Sequence, residues 1–399
     1  MAHNLNDPAI RRRVLFMQAG GSNVAIAGFG DKEKISELDL NSEPIYLGKR
    51  ADGRLVGRAL SVAFAIPKLM RLTRNKPLPE VILARNIEML FLASMTRRIS
   101  KRKELPVVYE CLDIHKLQLA KSWKGRVLRY IEGYLIKRSS AIVTSSPAFK
   151  SNYFDRFKNA PKDIVLIENK VLELSGLEHE KLPQQLLDTV PAWKIGWFGT
   201  LRCQKSMSAL AKFVQQTKNQ FKIVLRGRPA LSAHDDFFAE VDANTKVDFL
   251  GKYRNPEDLE EIYSQVHFSW LVDFYEEGQN SNWLLPNRLY EGCRFGAVPI
   301  ALAGTETARF LQELNIGIVL PNIRQETLAR YLTNITVQQY MILRKQVLAI
   351  DVSRWSHCKE DGAAFVNFLS RLQMPKDAQR RSVEASNGRE VRANSKCQM

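Results

Sequence analysis

The run WFGTLRCQKS closes an apolar stretch with Gly199 and Thr200, then supplies Arg202 and Lys205 where a helix should begin. A glycine turn lets backbone N–H groups approach an anion, and a helix N-terminus adds a favourable dipole. Arg202 would grip a diphosphate with a planar fork, and Lys205 as a point charge. The next apolar stretch ends alike, VLRGRP, with Arg226 and Arg228. A solvated helix start is the competing reading; two adjoining strand ends with this chemistry favour phosphate. Further on, LLPNRLYEGCRFGAVPIA sets Asn287, Arg288 and Glu291 in and around a short helix before a buried strand. A carboxylate there can accept hydrogen bonds from a vicinal diol such as ribose, as in dinucleotide sites. Arg288 would clamp phosphate, or else pair with Glu291. FLGKY, with Gly251 and Tyr253, ends another strand that can offer backbone contacts to a base.

Such residues need rigid strand ends to hold them. Val- and Ile-rich runs alternate with helical patterns along the whole chain. The first half reads RVLFMQAGG, VAIAGF, PIYLG, a helix over 55–72, EVILAR, a helix over 87–100, PVVYECLDIH, a helix over 122–137, SAIVTSSPAF and DIVLIEN. The second half repeats the scheme with WKIGWFGT, FKIVLRGRP, VDFLGKY, VHFSWLVDF, AVPIALA and GIVLP. Strands each followed by helix predict βαβ units around buried parallel sheets. The expected fold class is α/β, with two doubly wound Rossmann-like domains facing a cleft. We expect an N-terminal domain over 1–172, a linker over 173–192 and a C-terminal domain over 193–350. A C-terminal helix should lie in 351–374, packing back on the first domain, before a disordered tail over 375–399. Ligands of open α/β sheets bind beyond the carboxyl ends of the strands.

The chain resembles the GT-B glycosyltransferases, in the large family-4-like group that uses nucleotide sugars. More narrowly it is similar to bacterial exopolysaccharide (succinoglycan-type) biosynthetic transferases. AGGSN, VYECLDIH, VTSSPAF, LIEN, GWFGTLRC, GRP, FLGKY and above all LLPNRLYEGCRFGAVPIA carry the resemblance, which spans about residues 10–370. The last segment resembles the family's helix-plus-strand signature, whose final Glu, here Glu291, binds the donor ribose. The family often has a second Glu eight residues earlier; that position is Trp283. The loop before it is acidic instead, with Asp273, Glu276, Glu277 and Asn280. The resemblance implies a GT-B fold. It also implies transfer from a nucleotide sugar, a uridine diphosphate sugar, to a lipid-linked glycan acceptor, with donor in the second domain and acceptor in the first. A GT-B-type sugar-nucleotide epimerase shares the plan and stands as the alternative enzyme.

Acceptor-side candidates lie in the first half. Gly20 and Gly21 end the first expected strand, either to let a sugar or phosphate approach the backbone or to make a tight turn. VVYECLDIH offers Glu110, Asp113 and His115. A carboxylate at a strand end can take the acceptor hydroxyl's proton, and His115, which titrates near neutrality, can do the same. A structural role is the plainer reading for a single histidine. Ser146 before Pro147 reads as a helix cap. No DxD motif occurs, so Arg and Lys would neutralise the diphosphate, and neither metal nor cofactor is expected.

The 399 residues carry a net charge of +17. Residues 1–170 hold 31 Lys and Arg against 16 Asp and Glu, while 171–374 hold 22 against 23. A basic half joined to a neutral half points to an anionic partner for the first, unless the charge serves only solubility. NIEMLFLASMTRRISKRK runs from an apolar face into Arg97, Arg98, Lys101, Arg102 and Lys103. GRALSVAFAIPKLMRLTRNK is alike. Either could lie on an anionic membrane surface or pack on a sheet with a solvated basic end. Nucleic acid is not expected as a partner, because aromatics do not interleave the basic runs. With no apolar run of spanning length and five scattered cysteines, we expect a reduced, cytoplasmic chain, peripheral on the inner face of the cytoplasmic membrane.

Overall fold

The computed structural model describes residues 1–31, 43–49, 55–75, 77–174, 192–231 and 236–373. Most of the linker expected over 173–192, and all of the tail expected over 375–399, lie outside these residues.

The first half contains strands β1 (Ala27–Phe29), β2 (Ile45–Gly48), β3 (Ile82–Arg85), β4 (Val107–Cys111), β5 (Ala141–Thr144) and β6 (Ile164–Leu166). β3, β4, β5 and β6 form a parallel sheet in that order, and β1 pairs with β2. Residues 1–5 run between the two sheets: the Ala2 N–H donates to Ala27 and the Arg85 N–H to Met1. Every residue of β4 and β5 is buried, as strands covered on both faces require. The helices Leu55–Asn75, Asn86–Ile99 and Trp123–Ile136 cover one face through Leu69, Leu90, Ala93 and Ile136. The helices Pro8–Ala19 and Lys359–Arg371 cover the other through Ile10, Val14, Phe365 and Leu369.

One element departs from expectation. Residues 14–17 are helical, inside Pro8–Ala19, and not a strand. The Asp7 carboxylate caps the Ala9 N–H at 2.9 Å and Pro8 sits at the first helical position, a strong start signal. Buried Ile10, Val14 and Met17 then recur at helical spacing. Gly20 therefore ends a helix. A Cβ there would lie 2.3 Å from the backbone of Gly362, so this glycine serves the packing of two helices. Gly21 follows with φ of +89° and an open side.

β7 (Val171–Leu172) pairs with β14 (Ser356–His357) where the chain passes between halves. The second half contains β8 (Trp193–Leu201), β9 (Phe221–Pro229), β10 (Val247–Phe249), β11 (Phe268–Trp270), β12 (Val298–Leu302) and β13 (Ile318–Leu320). They make one parallel sheet ordered β10-β9-β8-β11-β12-β13. The winding reverses between β8 and β11, which is the switch point where open α/β sheets take their ligands.

Candidate functional site

At that switch point a group from the first half meets groups from the second. Arg202 leaves β8 and donates to Asp273, beyond β11, at 3.1 and 3.3 Å. Its guanidinium lies 4.6 Å from the centre of the Tyr275 ring. Lys205, one turn on, pairs with Glu277 at the surface. Asp113, just beyond β4, accepts from the Asn280 amide, whose carbonyl oxygen in turn accepts from the Ile114 N–H at 3.2 Å. The Asp113 carboxyl keeps solvent access, yet groups of both halves crowd it. Burial pushes its pKa up against the pull of Arg202, the Asn280 amide and His115, and Asp273 adds to the rise. Glu276 is raised too, by burial and then by Asp113. Three carboxylates, Asp113, Asp273 and Glu276, thus share the Arg202 guanidinium, and Asp113 is the one that the first half contributes.

Two expected bases do not fit that role. Glu110 is buried and accepts from Arg13 and Arg85, each at 2.7 Å. Burial raises its pKa, but the two guanidinium groups outweigh this and hold it at about 2. A carboxylate so occupied is a structural anchor. His115 caps the helix Lys116–Leu119: its Nδ1 accepts from the Leu117 N–H at 3.2 Å, and its backbone N–H donates to the Gln118 side-chain oxygen at 3.0 Å. The bond at Nδ1 puts the neutral ring's proton on Nε2. Burial, then Arg58, lowers its pKa and favours the neutral form. His115 therefore presents a donor, not a base.

In the second half, Gly199 and Gly227 face each other in the β8–β9 ladder with φ of +105° and +129°. A Cβ at Gly227 would lie 1.9 Å from the Gly199 oxygen, whereas one at Gly199 would meet only the Tyr253 hydroxyl, at 3.9 Å. The Gly199 side is an open cradle beside exposed Thr200. Arg226 is half-buried and its Nε has no hydrogen-bond partner. Asn287 stands exposed at the start of the helix Asn287–Arg294. Arg288 is buried, donates to the Leu271 carbonyl at 3.2 Å and leaves its Nε unpartnered. Glu291 does not bond to it. Its carboxylate accepts from Asn255 at 2.7 Å and Tyr263 at 3.1 Å. Burial raises its pKa, and the Arg12 guanidinium of the other half opposes this most.

Asn255, Tyr263 and Arg12 escaped the sequence reading. The triplet Arg11-Arg12-Arg13 was visible, but helical geometry sends its members apart. Arg11 reaches Glu257 at 3.3 Å, Arg12 faces Glu291, and Arg13 holds Glu110. Ser146 caps the Ala148 N–H and also donates to the Trp283 carbonyl. Asn152 and Ala148 face Asn282, Trp283, Thr305 and Arg309 across a groove of about 420 Å³ between the halves. The basic cluster gathers at the end of the helix Asn86–Ile99. Arg98, Lys101, Arg102 and Lys103 are exposed there, while Arg97 is half-buried and donates to the Arg138 carbonyl at 2.9 Å. No described helix is long and apolar enough to cross a membrane.

No protein-family model matches the chain. Among curated proteins it is similar to the succinoglycan biosynthesis protein ExoL of Rhizobium meliloti (strain 1021). The two are 46% identical over 378 residues, covering 94% of this chain and 93% of that protein. Among solved structures, Anabaena Alr3699/HepE in complex with UDP and glucose superposes with a TM-score of 0.64 at 17% identity, over 91% of this chain and 95% of that one. The sucrose-phosphate synthase of Thermosynechococcus elongatus gives 0.62 at 14%, over 95% and 93%. The apo lipopolysaccharide outer core galactosyltransferase WaaB gives 0.57 at 14%, over 89% and 96%. These likenesses show the GT-B fold, with its two Rossmann-like domains. With close to half its residues shared along nearly its whole length, the chain belongs to the family of the succinoglycan biosynthesis protein ExoL.

Proposed function

We propose that the protein is a hexosyltransferase that moves a sugar from a uridine diphosphate sugar to a lipid-linked oligosaccharide in exopolysaccharide synthesis. The observation that carries the reading is Asp113 of one half set against Arg202 of the other at the switch point. A base and a cation on opposite walls suit an acceptor hydroxyl on one side and a leaving diphosphate on the other. HepE, of the same fold, was solved with UDP-glucose, which supports the donor class. In this reading the donor lies over Gly199, Thr200 and Tyr253, with Arg226, Asn287 and Arg288 toward its phosphates and Glu291 on its ribose. Arg202 and Lys205 exchange Asp273 and Glu277 for the diphosphate, so no divalent ion is needed. The groove beside Ser146 and Trp283 takes the acceptor. The cations from Arg97 to Lys103 hold the first domain on the anionic inner face of the cytoplasmic membrane, where a lipid-linked acceptor sits.

Mass spectrometry of lipid-linked glycans formed from a panel of nucleotide sugars tests this. One donor should lengthen the acceptor by one hexose, with equal yield in chelator. Donor conversion without acceptor would identify an epimerase, and activity that returns only with added magnesium or manganese would refute the metal-free clamp. Glu291→Gln should weaken UDP binding by roughly 10- to 150-fold, the equivalent of a lost charge-assisted hydrogen bond of about 1.5–3 kcal/mol. Calorimetric titration with UDP measures it. Unchanged affinity in the folded variant would leave Glu291 as a purely internal partner of Asn255 and Tyr263.

A further inference from the structure

The helix Trp123–Ile136 has two unlike faces. One buries Gly125, Glu132, Leu135 and Ile136 against the first domain. The opposite face carries Trp123, Val127, Tyr130, Ile131 and Tyr134, all exposed, with Trp123 at 65% and Tyr130 at 77%. Steps of three and four residues place them in one stripe along the helix. Exposed Lys124 and Arg138 border that stripe on one side, and Arg126 and Lys137 on the other. The helix's single carboxylate, Glu132, is buried and accepts from Tyr109 and Gln118. The outer face is therefore aromatic in the middle, cationic at both edges and free of acid.

The surroundings extend this pattern. Arg97 bonds to the Arg138 carbonyl, so the basic cluster from Arg97 to Lys103 adjoins the end of the stripe. The helix Leu55–Asn75 packs on the far side of Asn86–Ile99 and exposes Leu60 and Phe64 beside Lys68, Arg71 and Arg74, with no acidic residue in its length. All three helices cover the same face of the β3–β6 sheet, so their outer surfaces look the same way.

We propose that the aromatic stripe of Trp123–Ile136 enters the interfacial layer of an anionic lipid bilayer, with the helix lying in the membrane plane. This rests on the membrane attachment proposed above, which invoked only cations, and adds the apolar part. Tryptophan and tyrosine suit the headgroup level because each joins an apolar ring to a polar tip. Cations along both edges, with no intervening carboxylate, complement an extended anionic plane. The attached domain would present β4 and Asp113 to a glycan anchored in the same leaflet, while the second domain stays in water with its donor.

Trp123 is a built-in probe. Trp193, Trp197, Trp270 and Trp355 are buried and Trp283 is half-buried. With vesicles of phosphatidylcholine and phosphatidylglycerol whose acyl chains are brominated, wild-type fluorescence should be quenched. Trp123→Phe should bind the same vesicles without that quenching. A variant with Trp123→Ser, Tyr130→Ser and Tyr134→Ser should lose roughly tenfold or more in vesicle affinity and bind UDP normally. Binding without Trp123 quenching would overturn the stripe and leave attachment by cations alone. Absence of any binding to these vesicles would overturn both, and a protein would then be the partner that covers the stripe.

Discussion

Asp113→Asn should lower turnover by roughly 10²- to 10⁴-fold, the usual worth of a positioned general base, with UDP affinity close to wild type. The substitution preserves shape, and the new amide oxygen can still accept from Asn280, so the seam between the halves survives. What disappears is the capacity to take a proton. The pH profile separates this from a positioning role. The Asp113 pKa lies above the ordinary carboxylate range, with burial as the main cause. Only the deprotonated form can act as base. Activity should therefore rise with pH through a limb above the ordinary carboxylate value, and the residual activity of the Asn variant should lack that limb. Full turnover in Asp113→Asn, or an unmoved acid limb, would show that Asp113 merely ties the loop at Asn280 to the first domain. His115→Ala is the useful contrast. It removes the Nε2–H donor and leaves Asp113 in place, so the acid limb should stay.

Much of this site could be read from the chain, and the failures have definite causes. Strands β8 and β9 were legible because WKIGWFG and FKIVLRG are continuous β-branched and aromatic runs ending in glycine and arginine. The cap at Ser146 was legible because its partner is two residues away. Glu110 and Asp113 looked equivalent in sequence, three residues apart at one strand end. The fold separates them through Arg13 and Arg85, which lie 97 and 25 residues distant. No local pattern records such a pairing. The role of His115 did have a local sign: Gln118 three residues on completes a capping box. The acidic loop from Asp273 to Glu277 was seen as acidic, but its pairing with Arg202 and Lys205 follows only from β8 and β11 being neighbours in the sheet. The strand expected in RVLFMQAGG failed because a short apolar run suits either element, and Asp7-Pro8 decided for helix.

Replacing Glu110 should be strongly destabilising. Its carboxylate is the shared partner of Arg13 and Arg85, and removal leaves two guanidinium groups facing each other out of water. Breaking a buried ion pair in this way costs about 3–5 kcal/mol. The effect has a pH signature whose sign follows from the direction of the shift. Glu110 titrates at about 2 in the fold against an ordinary 4.5. Its contribution is therefore complete above about 4.5 and is lost as pH falls toward about 2. That shift corresponds to stabilisation on the order of 3 kcal/mol. Denaturant unfolding should show Glu110→Gln far less stable than wild type at neutral pH, with the gap narrowing steadily as the solution is acidified. A gap independent of pH would mean that packing, and not charge, sets the value of this residue. The consequence reaches Glu291, because Arg13 anchors the helix Pro8–Ala19 that directs Arg12 at Glu291 and Arg11 at Glu257. Glu110→Gln should thus weaken UDP binding too, without touching the nucleotide. Arg12→Met, which leaves the Glu110 anchor intact, should weaken UDP binding with a smaller loss of stability than Glu110→Gln. If Glu110→Gln loses stability and keeps its UDP affinity, the helix does not transmit the anchor's effect to the cleft.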